Sequence, residues 1–328
     1  MKRTILILIL GFILMIDSVS AQAPQPTKVP RIGYLSVASA SAIAARHEAF
    51  RQGLRELGYV EGKNIIIEYR HAEGKPDRLP AVAAELVRLK IDVIVTTGPS
   101  VTHAAKEATV TIPIVMTNDN DPVGNGFVAT LARPGGNITG LATLSPELSG
   151  KRLELLKEIV PRLSRVAVLG TSTVPGHAQA LRETELAARA FKVKLQNLDV
   201  LDPKDIETAF RAASKERADA VLVLTGLVFN SQRTQVVHLA VKNLLPAIYI
   251  NTVFVEEDGG LMSYGVSQND LARRAATYVD KILKGAKPGD LPVEQPKKFE
   301  FIINLKAAKQ IGLAILPNVL TRADKVIK

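Results

Sequence analysis

Arg31-Ile32-Gly33-Tyr34-Leu35-Ser36, continued by Val37-Ala38-Ser39-Ala40-Ser41, is the stretch on which the reading of this chain turns. Ile32 to Leu35 reads as a short buried strand, and the hydroxyl residues after it read as the start of a helix. Ile43, Phe50, Leu54 and Leu57 then recur on one helical face, which Gly58 stops.

The same alternation runs outward along the chain. Ile65-Ile66-Ile67-Glu68-Tyr69 is a second strand, and Leu79, Val82, Ala83 and Leu86 keep the i, i+3, i+4, i+7 spacing of an amphipathic helix. Asp92 to Val95 and Ile112 to Met116 read as short buried strands. A turn cluster, Arg133-Pro134-Gly135-Gly136-Asn137, precedes a strand at Ile138 to Leu141. After a helix carrying Leu153, Leu156 and Val160, the theme restarts. Strands at Arg165 to Leu169, Val193 to Leu198, Ala218 to Leu224 and Ala247 to Ile250 enclose a helix from about Gly176 to Arg189 and another begun at Asp202-Pro203. The remainder looks like a return path: a strand at Gly260 to Gly265, a helix on Leu271, Ala275, Tyr278, Val279 and Ile282, a strand at Phe299 to Ile303 and a last helix from Leu305 to Ile311. Alternation of this kind means parallel strands with crossover helices on both faces, here in two doubly wound parallel-sheet lobes of an α/β protein.

Composition narrows the function. The chain has 328 residues, 47% hydrophobic and 23% charged, a balanced globular mixture long enough for two lobes. Lys2 and Arg3, the apolar run Ile5 to Ile16 and the small residues Val19-Ser20-Ala21 describe a secretory leader over residues 1–21. No later stretch reaches about 18 uninterrupted apolar residues. With no cysteine there is neither a disulfide framework, a thiolate metal site nor a lipid attachment point. The expected product is a free, soluble protein of the periplasm. Its formal charge of +10 is spread thinly, with no basic run interleaved with aromatics, so nucleic acid is not an expected partner.

Catalytic and cofactor motifs are missing from the sequence. His47, His71, His103, His177 and His238 include no pair at metal-ligand spacing, and there is no phosphate-binding loop, dinucleotide fingerprint or nucleophile elbow. No metal, no cofactor and no enzyme activity are expected. In open α/β sheets ligands bind beyond the carboxyl ends of the strands, which selects Ser36 and Ser39, then Thr97, Gly98 and Ser100, then Asn118, Asp119 and Asp121 in the first half. Thr171, Ser172, Gly226 and Glu256 are the corresponding candidates in the second. A helix end at Thr97 to Ser100 suits a carboxylate, and Asp119, Asp121 or Glu256 an amine. Any one of these residues is equally explained as a cap or turn; together they describe a site for a small polar or zwitterionic ligand. Tyr34, Phe127, Phe229 and Phe254 are either walls of that site or ordinary core.

Several longer stretches carry a resemblance. They are Arg31 to Ser36, Glu48-Ala49-Phe50-Arg51-Gln52-Gly53-Leu54-Arg55-Glu56-Leu57-Gly58-Tyr59, Glu61 to Ile65, Asp121-Pro122-Val123-Gly124, Leu131 to Gly140, Gly260 to Gly265 and Asn304 to Lys309. In these the chain resembles the substrate-binding proteins of ABC transporters related to the tryptophan/tyrosine-binding type. The resemblance implies a type I periplasmic binding protein with two lobes, three hinge crossovers and one cleft. It implies lobes of 31–143 with 267–293 and 144–266 with 294–328. A monomer that delivers a small molecule, such as an aromatic or other amino acid, to a permease with a cytoplasmic ATPase is expected, with cleft loops at Ser36 to Ser39, Thr97 to Ser100, Asn118 to Asp121, Thr171 to Thr173, Gly226 and Glu256. A sensory receptor that binds in the same way is the alternative, and an exported enzyme using the cleft is a more distant one. A gene regulator sharing the lobes would need a DNA-binding module, for which Gln22 to Pro30 leaves no room.

Overall fold

The computed structural model describes residues 29–143, 148–174 and 176–328, so the leader expected over residues 1–21 lies outside the described residues. The first half supplies β1 (Arg31–Ser36), α1 (Ala44–Glu56), β2 (Ile66–His71), α2 (Leu79–Arg88), β3 (Val93–Thr96), α3 (Pro99–Ala108), β4 (Ile114–Asp119) and β5 (Ile138–Ala142). These five strands form one parallel sheet in the order β2-β1-β3-β4-β5. Near-continuous burial along β1, β3, β4 and β5 is the mark of strands covered on both faces.

The second half repeats the theme with α4 (Ser149–Ile159), β6 (Arg165–Gly170), α5 (His177–Phe191), β7 (Lys194–Asp199), α6 (Asp205–Lys215), β8 (Ala220–Val223), α7 (Leu227–Ser231), α8 (Arg233–Lys242), β9 (Ala247–Tyr249), α9 (Val253–Glu256) and β10 (Met262–Val266). Its sheet runs β7-β6-β8-β9-β10, the same doubly wound order, and is extended by two more strands. The chain then returns to the first sheet as α10 (Gln268–Leu283) before crossing back as β11 (Phe299–Asn304), α11 (Leu305–Gln310), α12 (Pro317–Leu320) and β12 (Lys325–Ile327). The two-lobed type I architecture expected from the sequence is present.

Several details depart from the sequence reading, which gave no helix at α7, α8 or α9. β11 is antiparallel to β10, because the chain re-enters the second sheet from the end next to the first and must run down it. Two elements, α12 and β12, follow the helix taken as the last one. Leu57 lies beyond the end of α1 and is 36% exposed, so it is not part of the buried face.

Packing shows how the pieces are tied together. On one face of the first sheet, Phe50 and Leu54 of α1 meet Leu271, Ala275, Ala276 and Val279 of α10 over Ile32, Tyr34, Val93 and Val95. The approach of α1 to α10 is close: a Cβ on Gly53 would stand 2.2 Å from the Arg273 carbonyl oxygen. The other face is covered by Leu79, Val82, Leu86, Val101 and Ala105 of α2 and α3. Beyond α10, the Glu294 carbonyl accepts from the Ala142 amide and the Gly140 carbonyl accepts from the Glu294 amide, so this segment extends the first sheet before the chain leaves it. In the second lobe Arg152 of α4 is almost completely buried and donates through Nε to the Tyr264 carbonyl at 2.7 Å. That bond joins the helix entering this lobe to the strand leaving it.

Candidate ligand-binding cleft

The carboxyl ends of β1, β3 and β4 in one sheet, and of β6, β8 and β9 in the other, carry the loops that sequence reasoning selected. The Ser36 hydroxyl is buried at the end of β1 and accepts from the Ala38 amide at 3.1 Å. Ser39 Oγ lies 3.2 Å from Ser41 Oγ and accepts from the Ala42 amide, capping the short 3-10 turn that leads into α1. Thr97 is buried and donates to the Leu35 carbonyl at 3.4 Å. Gly98 sits at φ +94°, a conformation open to glycine, and turns the chain directly into α3 with Pro99 at its first position. Ser100 is exposed in that first turn.

At the end of β4 the side chains interlock. Asn118 donates to Gln268 Oε1 of α10 at 3.0 Å and accepts from the Thr117 hydroxyl at 2.9 Å. Asp119 is fully buried; its Oδ1 accepts from the Asp121 amide and from Asn125 Nδ2, while Oδ2 has no partner. Burial pushes this carboxyl up to about 6, against the pull of those two hydrogen bonds. Asp121 caps a turn by accepting from the Gly124 amide at 2.8 Å.

In the second lobe Thr171 is buried and donates to the Val200 carbonyl at 2.9 Å, the same kind of service that Thr97 performs in the first. Ser172 is exposed, and both its amide and its hydroxyl bind the Asp199 carboxylate, holding that group below its ordinary range. Gly226 is buried at the start of α7, where a Cβ would press on Phe229 and Thr171 Oγ1 at 2.8 Å. Glu256 is set apart from the rest: it is exposed at the end of α9 and held at 2.7 Å by Lys325 of the edge strand β12. The next acids, Glu257 and Asp258, are taken by Arg233 at 2.8 and 2.6 Å. Tyr34, Phe127, Phe229 and Phe254 are all core residues.

Two polar residues in this region escaped the sequence reading. Gln268 is the partner of Asn118, and Arg46 projects from the first turn of α1 within electrostatic reach of Glu257 in the other lobe. Arg46 lies seven residues beyond Ser39; its position in the first turn of α1 was the available signal, masked by the apolar periodicity of the same helix. Among the described residues no group of three or more His, Asp or Glu is placed to hold a metal ion, and no helix is long and apolar enough to cross a membrane.

A family model described as ABC transporter substrate binding protein matches residues 31–327. The chain belongs to this family. This substrate-binding protein is 29% identical over 293 residues to a tyrosine-binding protein of Clostridioides difficile, covering 87% of the present chain and 82% of that one. A conserved domain protein of Vibrio cholerae superposes with a TM-score of 0.83 at 32% identity over 91% of this chain and 100% of the other. An ABC domain from Streptococcus pneumoniae, solved in complex with L-Trp, superposes with the same TM-score at 26% identity, covering 91% and 99% of the two chains.

Proposed function

We propose that this protein is the solute receptor of an ABC importer, acting outside the inner membrane. It is exported with residues 1–21 removed and works as a monomer without catalysing a reaction. Its lobes are residues 31–143 with 267–293 and residues 144–266 with 294–328. Between them it captures a small polar or zwitterionic solute, foremost an aromatic amino acid, and hands it to a permease driven by a cytoplasmic ATPase. Hinge closure about the crossovers removes the solute from water and lets the permease distinguish a loaded receptor from an empty one.

The observation that carries this reading is the likeness, over nearly the whole of both chains, to a protein solved with L-Trp bound. The local chemistry supports it. In this reading Ser36, Ser39, Thr97, Gly98, Ser100 and Asn118 make one wall and Thr171, Ser172 and Gly226 the other, and the unpartnered Asp119 oxygen is offered to an ammonium group. Asp121 completes the first wall through its turn, whereas Glu256, tied to Lys325, is left out of the set.

The chain contains no tryptophan, so the fluorescence of added L-Trp, excited beyond the absorption of the six tyrosines, reports binding. Titration with L-Trp and calorimetry with L-Tyr and a panel of metabolites test the proposal. A ligand present at 100 times its Kd should stabilise the receptor by about 2.7 kcal/mol. If no amino acid or other small metabolite binds or raises the melting temperature, the proposal fails.

A further inference from the structure

Polar groups without partners gather at the cleft end of β1 and α1. Arg46 is only partly exposed, and its guanidinium forms no hydrogen bond or ion pair among the described residues. Beside it the Tyr34 hydroxyl is fully buried and also without a partner. His47 stands edge-on to Tyr34, with ring centroids 4.8 Å apart, and its Nε2 is buried and unpartnered. His71, at the end of β2, is 5.2 Å from His47 and leaves its Nδ1 in the same condition.

The surrounding charge leaves Arg46 unanswered. The acid whose charge acts on it is Glu257 of the other lobe, and Arg233 already holds that carboxylate at 2.8 Å. Arg233 also opposes Arg46 directly. A guanidinium drawn out of water without a counter-ion is costly, and removal of its last water by cleft closure would raise the cost unless an anion met it. The planar fork of arginine matches a carboxylate through two parallel hydrogen bonds, and a phenol hydroxyl adds a third donor.

We propose that Arg46, assisted by the Tyr34 hydroxyl, anchors a carboxylate of the bound solute, so that the cleft selects carboxylate-bearing solutes over neutral polyols and sugars. The anchor rests on the solute-receptor reading of the cleft and assigns its anionic end. It makes Arg46 a specificity-determining residue, while the hydroxyls of the strand-end loops serve the rest of the solute.

The test is calorimetry on the mature protein with L-tyrosine, L-tryptophan, their carboxamides, L-arabinose and D-glucose, using wild type, R46Q, R46K, Y34F and E257Q. For the amino acid that the wild type binds, R46Q should lose about 100-fold or more in affinity and R46K should fall between. The matching carboxamide should bind wild type and R46Q equally. Arg46 makes no hydrogen bond or ion pair among the described residues, so ligand-free R46Q should melt no lower than wild type, which separates lost binding from lost folding. Equal binding of the amino acid by R46Q and wild type overturns the inference, as does a loss in R46Q shared by the carboxamide. A matching loss in E257Q also overturns it, because Arg46 would then serve as a latch between lobes. A wild type that binds a sugar and no amino acid overturns the anchor but leaves the receptor reading intact, and one that binds nothing removes both.

Discussion

Gly53→Ala is the substitution whose effect follows most directly from the packing. Gly53 lies where α1 crosses α10, and an added Cβ would stand 2.2 Å from the Arg273 carbonyl oxygen and 2.9 Å from Ala276 Cβ. Carbon–oxygen contacts settle at about 3.3–3.6 Å, so the helices must part by about 1 Å. Such overpacking costs about 1–3 kcal/mol, and the better helix propensity of alanine returns up to about 1 kcal/mol. The net expectation is a loss of about 1–2 kcal/mol, a fall in Tm of about 1.5–3 °C for a protein of this size. Gly150 in α4 is the matched control: a Cβ there would meet Ala187 Cβ and the Glu183 carbonyl at 3.5 Å, an ordinary contact. G150A should be neutral or stabilising by up to about 1 kcal/mol. Urea and thermal unfolding of the two variants beside wild type decide the matter. If G53A unfolds no earlier than G150A, the close approach of α1 and α10 does not have the rigidity assigned to it.

Asp119 and His47 should act in opposite directions between pH 4 and 6. The Asp119 carboxyl is raised to about 6 in the fold, so its ionisation opposes folding, and stability is lost as pH rises from about 4 to 6, by up to about 3 kcal/mol. His47 is held down to about 4 by burial, then by His71, Arg51 and Arg46, so the stability of its neutral form is lost as pH falls from about 6.5 to 4. Melting temperature against pH should therefore be shallow in wild type, while D119N falls more steeply toward acid and His47→Phe rises toward it; parallel curves would refute both assignments. Removing the Arg152 guanidinium with R152M strips the Tyr264 carbonyl of a charged donor and should cost about 1.5–3 kcal/mol in urea unfolding. Full-length protein expressed in a Gram-negative host should be recovered from the periplasm with Gln22 at its amino terminus, as read by mass spectrometry of the intact chain; recovery with Met1 in place would contradict the export reading.

The strands and the doubling of the fold were legible because burial on both faces leaves continuous apolar runs such as Val166 to Leu169, and because helix spacing at Leu79 to Leu86 has one solution. Pairing was less accessible. Nothing local to Phe299–Asn304 records that it runs against its neighbour, since direction is imposed by where the chain re-enters the sheet. β12 was missed because Lys325-Val326-Ile327 is too short to show a period. At the candidate site, position after a strand selects the loops but does not say what the side chains do there. Thr97, Thr171 and Asp121 use their oxygens to hold backbone, and Glu256 is carried past the loop by α9 to an edge lysine. Arg46 was overlooked for the reverse reason: it stands within a helix whose apolar period drew the reading.

The partnership of α1 with α10 bears on how the protein comes into being. Leu271, Ala275 and Val279 cover a face of the first sheet whose strands all precede them by well over a hundred residues. Emerging amino-end first, the newborn polypeptide has β1 to β5 on hand while one side of that sheet is covered by α1 alone. The first lobe is thus completed only after β6 to β10 of the second have been synthesised, and a nascent chain halted before α10 should expose Ile32 and Val93 to chaperones.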